Sequence, residues 1–384
     1  MILHDLHVLG TIGSSHIHVE QGKIKFIADN RNAFDHLSGE LHLELENAIA
    51  FPGMINSHEH LNFNLFPPLS NRVYNSYTEW GHDIHTHNSD IIKEVLKVPL
   101  HLRIQWGLYK NLLNGFTTVV NHGQKLDVNN ELVTVFQNCF SLHSPAFEKN
   151  WKWKLNNPFA LGKPFVMHIG EGTDDKTRHE IDRVIQWNIF RKKLVAVHGV
   201  SMNEKQAASF AGLVWCPASN FFLLGKTASV NKLKADTKIV FGTDSTLTAT
   251  WNVWEHLRQA RDSNMLTNDE LFASLTSLPA GLWGLNDYGS IAEHKVSDII
   301  VASSIKKNIF DLNPEDIILV LRKGEIMIAD EKLFSLLSKK INTGNTFSKI
   351  RVGDQTKFIL GDMPALMKEC KKYFPGAYFP VSGI

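Results

Sequence analysis

The 384-residue chain is 43% hydrophobic and 21% charged, with a net charge of +1, which is the balance of a soluble globular enzyme and excludes wholesale disorder. It has no block of Lys and Arg long enough to track a phosphate backbone and no apolar run near the roughly 20 residues that span a bilayer, so neither nucleic acid nor membrane is an expected partner. The opening MILHDLHVLG lacks the basic start and apolar stretch of a signal peptide, which predicts a cytoplasmic location.

In chain order, SHIHVEQGKIKFIAD, with a turn at Gln21-Gly22, and then LHLELENAIAFPG read as short alternating strands of a small antiparallel sheet. The next apolar strand, in AIAFPGMINSHEHLN, ends in two histidines one residue apart. The two-residue period of a strand puts His58 and His60 on one face, where they can share an ion. His85 and His87 have the same spacing without a strand before them, so His82, His85 and His87 are read as a solvated loop.

From about residue 51 to 290, FTTVVNH, PFVMHIG, KLVAVHG, GLVWCP and KIVFGTD alternate with helical stretches, a βα rhythm that predicts parallel strands and a barrel. His168, His198 and Asp244 each follow such a run, and the C-terminal strand ends of a barrel converge on one pocket. Imidazoles plus a carboxylate make a zinc or iron set. Glu171, in a Gly-flanked turn past His168, is placed to shuttle a proton between water and a leaving nitrogen.

His122, His143 and Asn220 lie near strand ends and are read as substrate-orienting residues. FEKNWKWKLNNP is read as a surface loop rather than a pocket wall, and Glu180, in KTRHEIDRVIQW, as a solvated helix residue. Cys139, Cys216 and Cys370 are too few and too scattered for a disulfide framework, and Cys216 is read as a buried thiol. SDIIVAS and IILVLRKGEIMIAD, turning at Lys323-Gly324, are strands able to close onto the N-terminal ones. The expected domains are a composite β-sandwich of residues 1–50 and 291–345, a barrel over 51–290, and an extension over 346–384 with a helix in DMPALMKECKKYF.

PGMINSHEH resembles the PGxxxxHxH signature of the amidohydrolase superfamily. HIGE, VHGV, CPASN and GTDS resemble later motifs of its cytosine deaminase, triazine hydrolase and chlorohydrolase-like branch. With YTEW, GFTTVVNH and YGSIAEHKVSDIIV, the resemblance spans about residues 10 to 330. It implies a TIM-type (β/α)8 barrel and one divalent ion per chain, zinc or iron, held by His58, His60, His168 and Asp244. By the same resemblance, His198 hydrogen-bonds the attacking hydroxide or the substrate, Asp244 helps deprotonate the water, Glu171 shuttles the proton, and the chain is a homodimer.

Binuclear members use a carboxylated Lys on a middle strand. The candidate strand NCFSLHS offers His143 and no Lys, which favours one ion. There are two departures. About forty residues separate FTTVVNH from PFVMHIG, so the third and fourth βα units are expected to be shortened, and His294 stands where the family has Gly.

The function so implied is a metal-dependent hydrolase of carbon–nitrogen bonds other than peptide bonds. Its hydroxide attacks an sp² carbon bearing nitrogen, most simply to deaminate a heterocyclic or amidine-like small molecule. Cyclic amide hydrolysis, as of an imidazolone ring, shares the same motifs. The rivals from other classes are a non-catalytic small-molecule-binding barrel and a metal-free isomerase or lyase.

Overall fold

The sequence's two turn signals both form two-residue hairpins. Gln21 and Gly22 have φ of 49° and 77°, and Lys323 and Gly324 have 49° and 76°, the paired positive φ that a type I′ turn requires. The computed structural model describes residues 1–70, 72–128, 132–160, 162–303, 308–337 and 346–384. The first turn joins β2 (Ser15–Glu20) to β3 (Lys23–Ala28), which follow β1 (Ile2–Val8) and precede β4 (His42–Pro52).

Gly53 alone separates β4 from β5 (Met54–Glu59). There follow β6 (Phe116–Asn121), β7 (Thr134–Phe136), β8 (Phe140–Leu142) and β9 (Phe165–Ile169). Next come β10 (Leu194–His198), β11 (Gly212–Trp215) and β12 (Lys238–Phe241). The chain then returns through β13 (Ile299–Ser303), β14 (Ile317–Arg322) and β15 (Glu325–Asp330), and ends on β16 (Phe347–Val352), β17 (Gln355–Leu360) and β18 (Val381–Gly383).

β13 pairs antiparallel with β4 while β1 pairs parallel with it, so the two ends of the chain build one sheet around β4. The expected sandwich strands are hydrogen-bonded in a single ten-stranded sheet, β18-β16-β17-β15-β14-β13-β4-β1-β2-β3. Leu3, Ile17, Leu45, Val301 and Leu319 form a core of that sheet's own. β16, β17 and β18, from the residues set apart as an extension, continue the sheet beyond β15. The helix expected nearby forms at Met363–Tyr373 beside Leu100–Leu113, where the Tyr109 hydroxyl donates to the Leu360 carbonyl at 3.0 Å.

β5 to β12 are parallel, in a sheet of three (β5-β6-β7) and a sheet of five (β8 to β12). β5, β6, β9, β10 and β11 are buried along their whole length, as strands covered on both faces must be, which is why they read as apolar runs without alternation. β7 and β8 have three residues each, only 137–139 lie between them, and no helix stands between β6 and β7 among the described residues.

Past β12, the backbone N–H groups of Thr243 and Asp244 donate to the His58 carbonyl, each at 3.1 Å. This approach needs Gly242, because a Cβ there would sit 2.8 Å from the His58 Cβ and 2.7 Å from Val214. His294 takes the left-handed conformation that a glycine adopts without strain, with φ of 69°. No helix among the described residues is long and apolar enough to cross a membrane.

Candidate metal centre and active site

The strand ends bring their polar side chains to one place. His58 and His60 come from the end of β5, His168 from β9, Glu171 from the turn after it, His198 from the last position of β10, and Asp244 from the loop after β12. The Nε2 atom of His168 lies 3.2 Å from that of His58 and 3.3 Å from that of His60. Asp244 Oδ1 faces the same two histidines at 3.9 and 3.8 Å.

The His168 Nδ1–H donates to the His143 carbonyl at 2.8 Å, which fixes the tautomer and leaves the Nε2 lone pair free for an ion. Burial and neighbouring imidazoles hold His58 and His168 well below the usual histidine range, so both are neutral and able to ligate.

Two residues of the centre carry backbone strain. His198 and Asp244 have φ of 73° and 58°, conformations that cost a side-chain-bearing residue on the order of 1–3 kcal/mol and persist only where the surroundings impose them. Around Asp244 the imposition comes from Ser219 and Thr248, whose hydroxyls donate to Oδ2 at 2.8 and 2.9 Å.

Around His198 it comes from a chain of donors. The Trp215 indole N–H donates to Thr227 Oγ1 at 2.6 Å, the Thr227 hydroxyl to Asn220 Oδ1 at 3.1 Å, and the Asn220 amide to His198 Nδ1 at 2.8 Å. His198 therefore carries its proton on Nε2, which lies 3.5 Å from Glu171 Oε1. Burial pushes the His198 pKa down to about 4, so it is a neutral donor.

The two carboxyl groups are driven apart. Burial raises Glu171 well above the ordinary range, helped by Asp244 and Glu180. Burial also presses Asp244 upward, but His60, His198 and the two hydroxyls hold it below the usual value. One group that keeps a proton beside one that gives it up is an arrangement suited to acid–base work.

Glu171, His198 and Asp244 line a cavity of about 750 Å³, together with His60, His143 and His168. The expected substrate contacts divide. His143 is on the cavity wall. His122 is not, because it is buried behind the centre with its ring 4.3 Å from that of His168 and its Nε2 3.4 Å from Ser141. Asn220 is also off the wall, its amide spent on His198 and Thr227.

Three other expectations are corrected. His82, His85 and His87 lie in a helix, Tyr77–His87, capped by Ser76, and His82 and His85 reach the cavity rim. FEKNWKWKLNNP is no simple surface loop: Phe147 lines the cavity and Trp151 is buried, while Trp153 is 71% exposed. Glu180 is buried, because Thr177, Glu180, Ile181 and Val184 form the inner face of the helix Asp175–Trp187, and the Tyr77 hydroxyl donates to it at 3.2 Å.

Burial raises the Glu180 pKa from 4.5 to about 7. The folded state thus binds more protons than the unfolded one between those values, and stability falls as pH rises through that window. Glu180→Gln is expected to remove a decline on the order of 3 kcal/mol between pH 5 and pH 8, read from denaturation midpoints of variant and wild type. An unchanged slope would contradict the burial argument.

Sequence reasoning missed Glu59, between the two histidines. It is fully buried, paired with Lys110 Nζ at 2.8 Å, and bonded by Asn111 and Asn64 at 2.8 and 2.9 Å. The available signal was a charged residue inside a strand with no wet face, which demands a buried cation elsewhere in the chain.

Residues 151–327, which hold His168, Glu171, His198 and Asp244, match the profile of the Amidohydrolase family. Solved structures share the chain's fold at low identity. An adenosine deaminase from Xanthomonas campestris with bound zinc aligns over 97% of both chains at 14% identity, with a TM-score of 0.71. A guanine deaminase from C. acetobutylicum with bound guanine covers 85% of this chain and 99% of its own at 16% identity, with a TM-score of 0.64. A variant atrazine chlorohydrolase from Arthrobacter aurescens, complexed with zinc and atraton, covers 88% of this chain and 98% of its own at 14% identity, with a TM-score of 0.65. No curated protein matches the chain. These structures share the fold of the chain beyond the matched residues, and the first of them does so over nearly its whole length.

Proposed function

We propose that the protein is a metal-dependent hydrolase that removes the amino group from a heterocyclic or amidine-like small molecule. The observation that carries this reading is the convergence of the Nε2 atoms of His58, His60 and His168, with Asp244 Oδ1 facing the first two, at the end of a cavity that Glu171 and His198 also line. Nitrogen pairs 3.2 and 3.3 Å apart fit the edge of about 3.4 Å that tetrahedral zinc ligation implies from 2.1 Å bonds. His58, His60, His168 and Asp244 would hold a single ion, zinc or iron. Such an ion supplies Lewis acidity that brings a water's pKa toward roughly 7.

The chain's own residues do the rest. Asp244 takes the first proton of the attacking water, and Glu171 delivers the proton it keeps to the departing nitrogen and recovers one from the water. His198 donates from Nε2 to the substrate atom that gains negative charge. The deaminases with this fold support the choice of leaving group.

In this reading the two parallel sheets are arcs of one eight-stranded barrel, with residues 51–290 as its domain and the composite sheet beside it. The three free thiols suit a reducing cytoplasm. All proposed ligands come from one chain, so the homodimer expected from resemblance would not be needed to complete the centre.

Elemental analysis is expected to find one ion per chain, and His168→Ala to lose it. Zinc at a hundredfold excess over its Kd should stabilise the metal-free protein by about 2.7 kcal/mol, and the His168 variant not at all. Two ions per chain, or zinc stabilisation that survives in the variant, would sink the single-ion centre.

A further inference from the structure

Away from the metal centre the cavity changes character. Phe63 packs on the His60 ring at 5.4 Å between centroids and on Phe66 at 5.9 Å, so apolar surface begins at the centre itself. The wall continues through Trp80 and Ile84 of the helix Tyr77–His87 and through Ile92 and Leu96 of the helix Ser89–Leu96. Trp80 spends its only donor on the Leu69 carbonyl at 2.7 Å and offers the cavity carbon surface. Among the described residues lining the cavity there is no Lys and no Arg. The carboxyl groups that face it are Glu171 and Asp244, both at the centre. At about 750 Å³ it is in the range that encloses a drug-sized molecule, roughly 300–1,000 Å³.

We infer that the substrate carries an uncharged apolar substituent, alkyl, alkylthio or aryl, on the side of its ring away from the amino group, and that analogues with phosphate or carboxylate there are excluded. The inference rests on the reading of this cavity as the hydrolase's active site. A buried methylene strengthens binding about fourfold, and Phe66, Trp80, Ile84 and Ile92 offer surface to several. An anion in the same place meets no Lys or Arg and loses its water without replacement.

The test uses the zinc-loaded protein at pH 8 and three aminated ring cores, purine, pyrimidine and triazine. Each core bears hydrogen, n-butyl, benzyl, carboxymethyl or phosphonomethyl at the position opposite the amino group. Calorimetry is expected to show, on at least one core, butyl and benzyl members bound at least tenfold tighter than the hydrogen member, and both anionic members bound no tighter than it. Leu96→Lys, at the half-exposed mouth, is expected to shift the carboxymethyl-to-benzyl affinity ratio at least tenfold toward the anion.

The inference is overturned if on every core the substituent makes no difference, the anions bind best, or no member binds. It is also overturned if Leu96→Lys leaves the ratio unchanged. Ammonia release is measured separately. Apolar preference without ammonia release from any core would defeat the deaminase reading while leaving the pocket inference standing.

Discussion

Glu171→Gln is expected to keep the fold and the bound ion while lowering kcat by about 10²- to 10⁴-fold, the usual contribution of a general acid–base group. The amide has nearly the shape of the carboxyl but can neither accept the proton of the attacking water nor hand it to the leaving nitrogen. The effect should reach the upper part of that span, because Glu171 is buried, poised to keep a proton, and 3.5 Å from the donor His198. Glu180→Gln is no neutral baseline for the comparison, since Glu180 is buried and raises the Glu171 pKa. Glu204→Gln, at the start of a surface helix, is the better one. Wild-type kcat with the ion retained would refute the shuttle, and loss of the ion would make Glu171 a ligand.

Lys110→Met should be the most damaging substitution for stability outside the centre. It strands Glu59 without its cation inside the core, and breaking one side of a buried ion pair costs about 3–5 kcal/mol. Urea denaturation measures it, and the double change Glu59→Gln with Lys110→Met should recover much of the loss, because no uncompensated charge then remains. A single variant within about 0.5 kcal/mol of wild type would show that the buried pair contributes nothing measurable to stability.

The centre was legible in the sequence for a definite reason. His58, His168, His198 and Asp244 each end or follow an apolar run, and an apolar run that stops on a polar residue marks both the strand and the end at which these side chains meet. The type I′ turns were equally plain, since each carries a Gly where φ must be positive.

What was missed lay on faces rather than at ends. The helix Tyr77–His87 is so polar that it reads as a loop, although Ser76 with Glu79 three residues on is a capping signal, and the Ser76 hydroxyl does accept from the Glu79 N–H. Glu180 reads as solvent-facing until Thr177, Ile181 and Val184 are seen to share its stripe. β16 and β17 hide in a tail with weak alternation, because their side chains are only partly buried.

The chain of donors behind His198 has a consequence for how the centre divides its labour. An indole has a hydrogen to give and no lone pair in its plane to receive one, so Trp215 sets the direction of every bond after it: Thr227, then Asn220, then His198. The imidazole at the end of that line can give a hydrogen to the substrate but cannot turn round to collect one without breaking the whole sequence. In the proposed reaction proton traffic is thereby left to the carboxyl groups, and a core tryptophan off the cavity wall decides which of its neighbours is allowed to be a base.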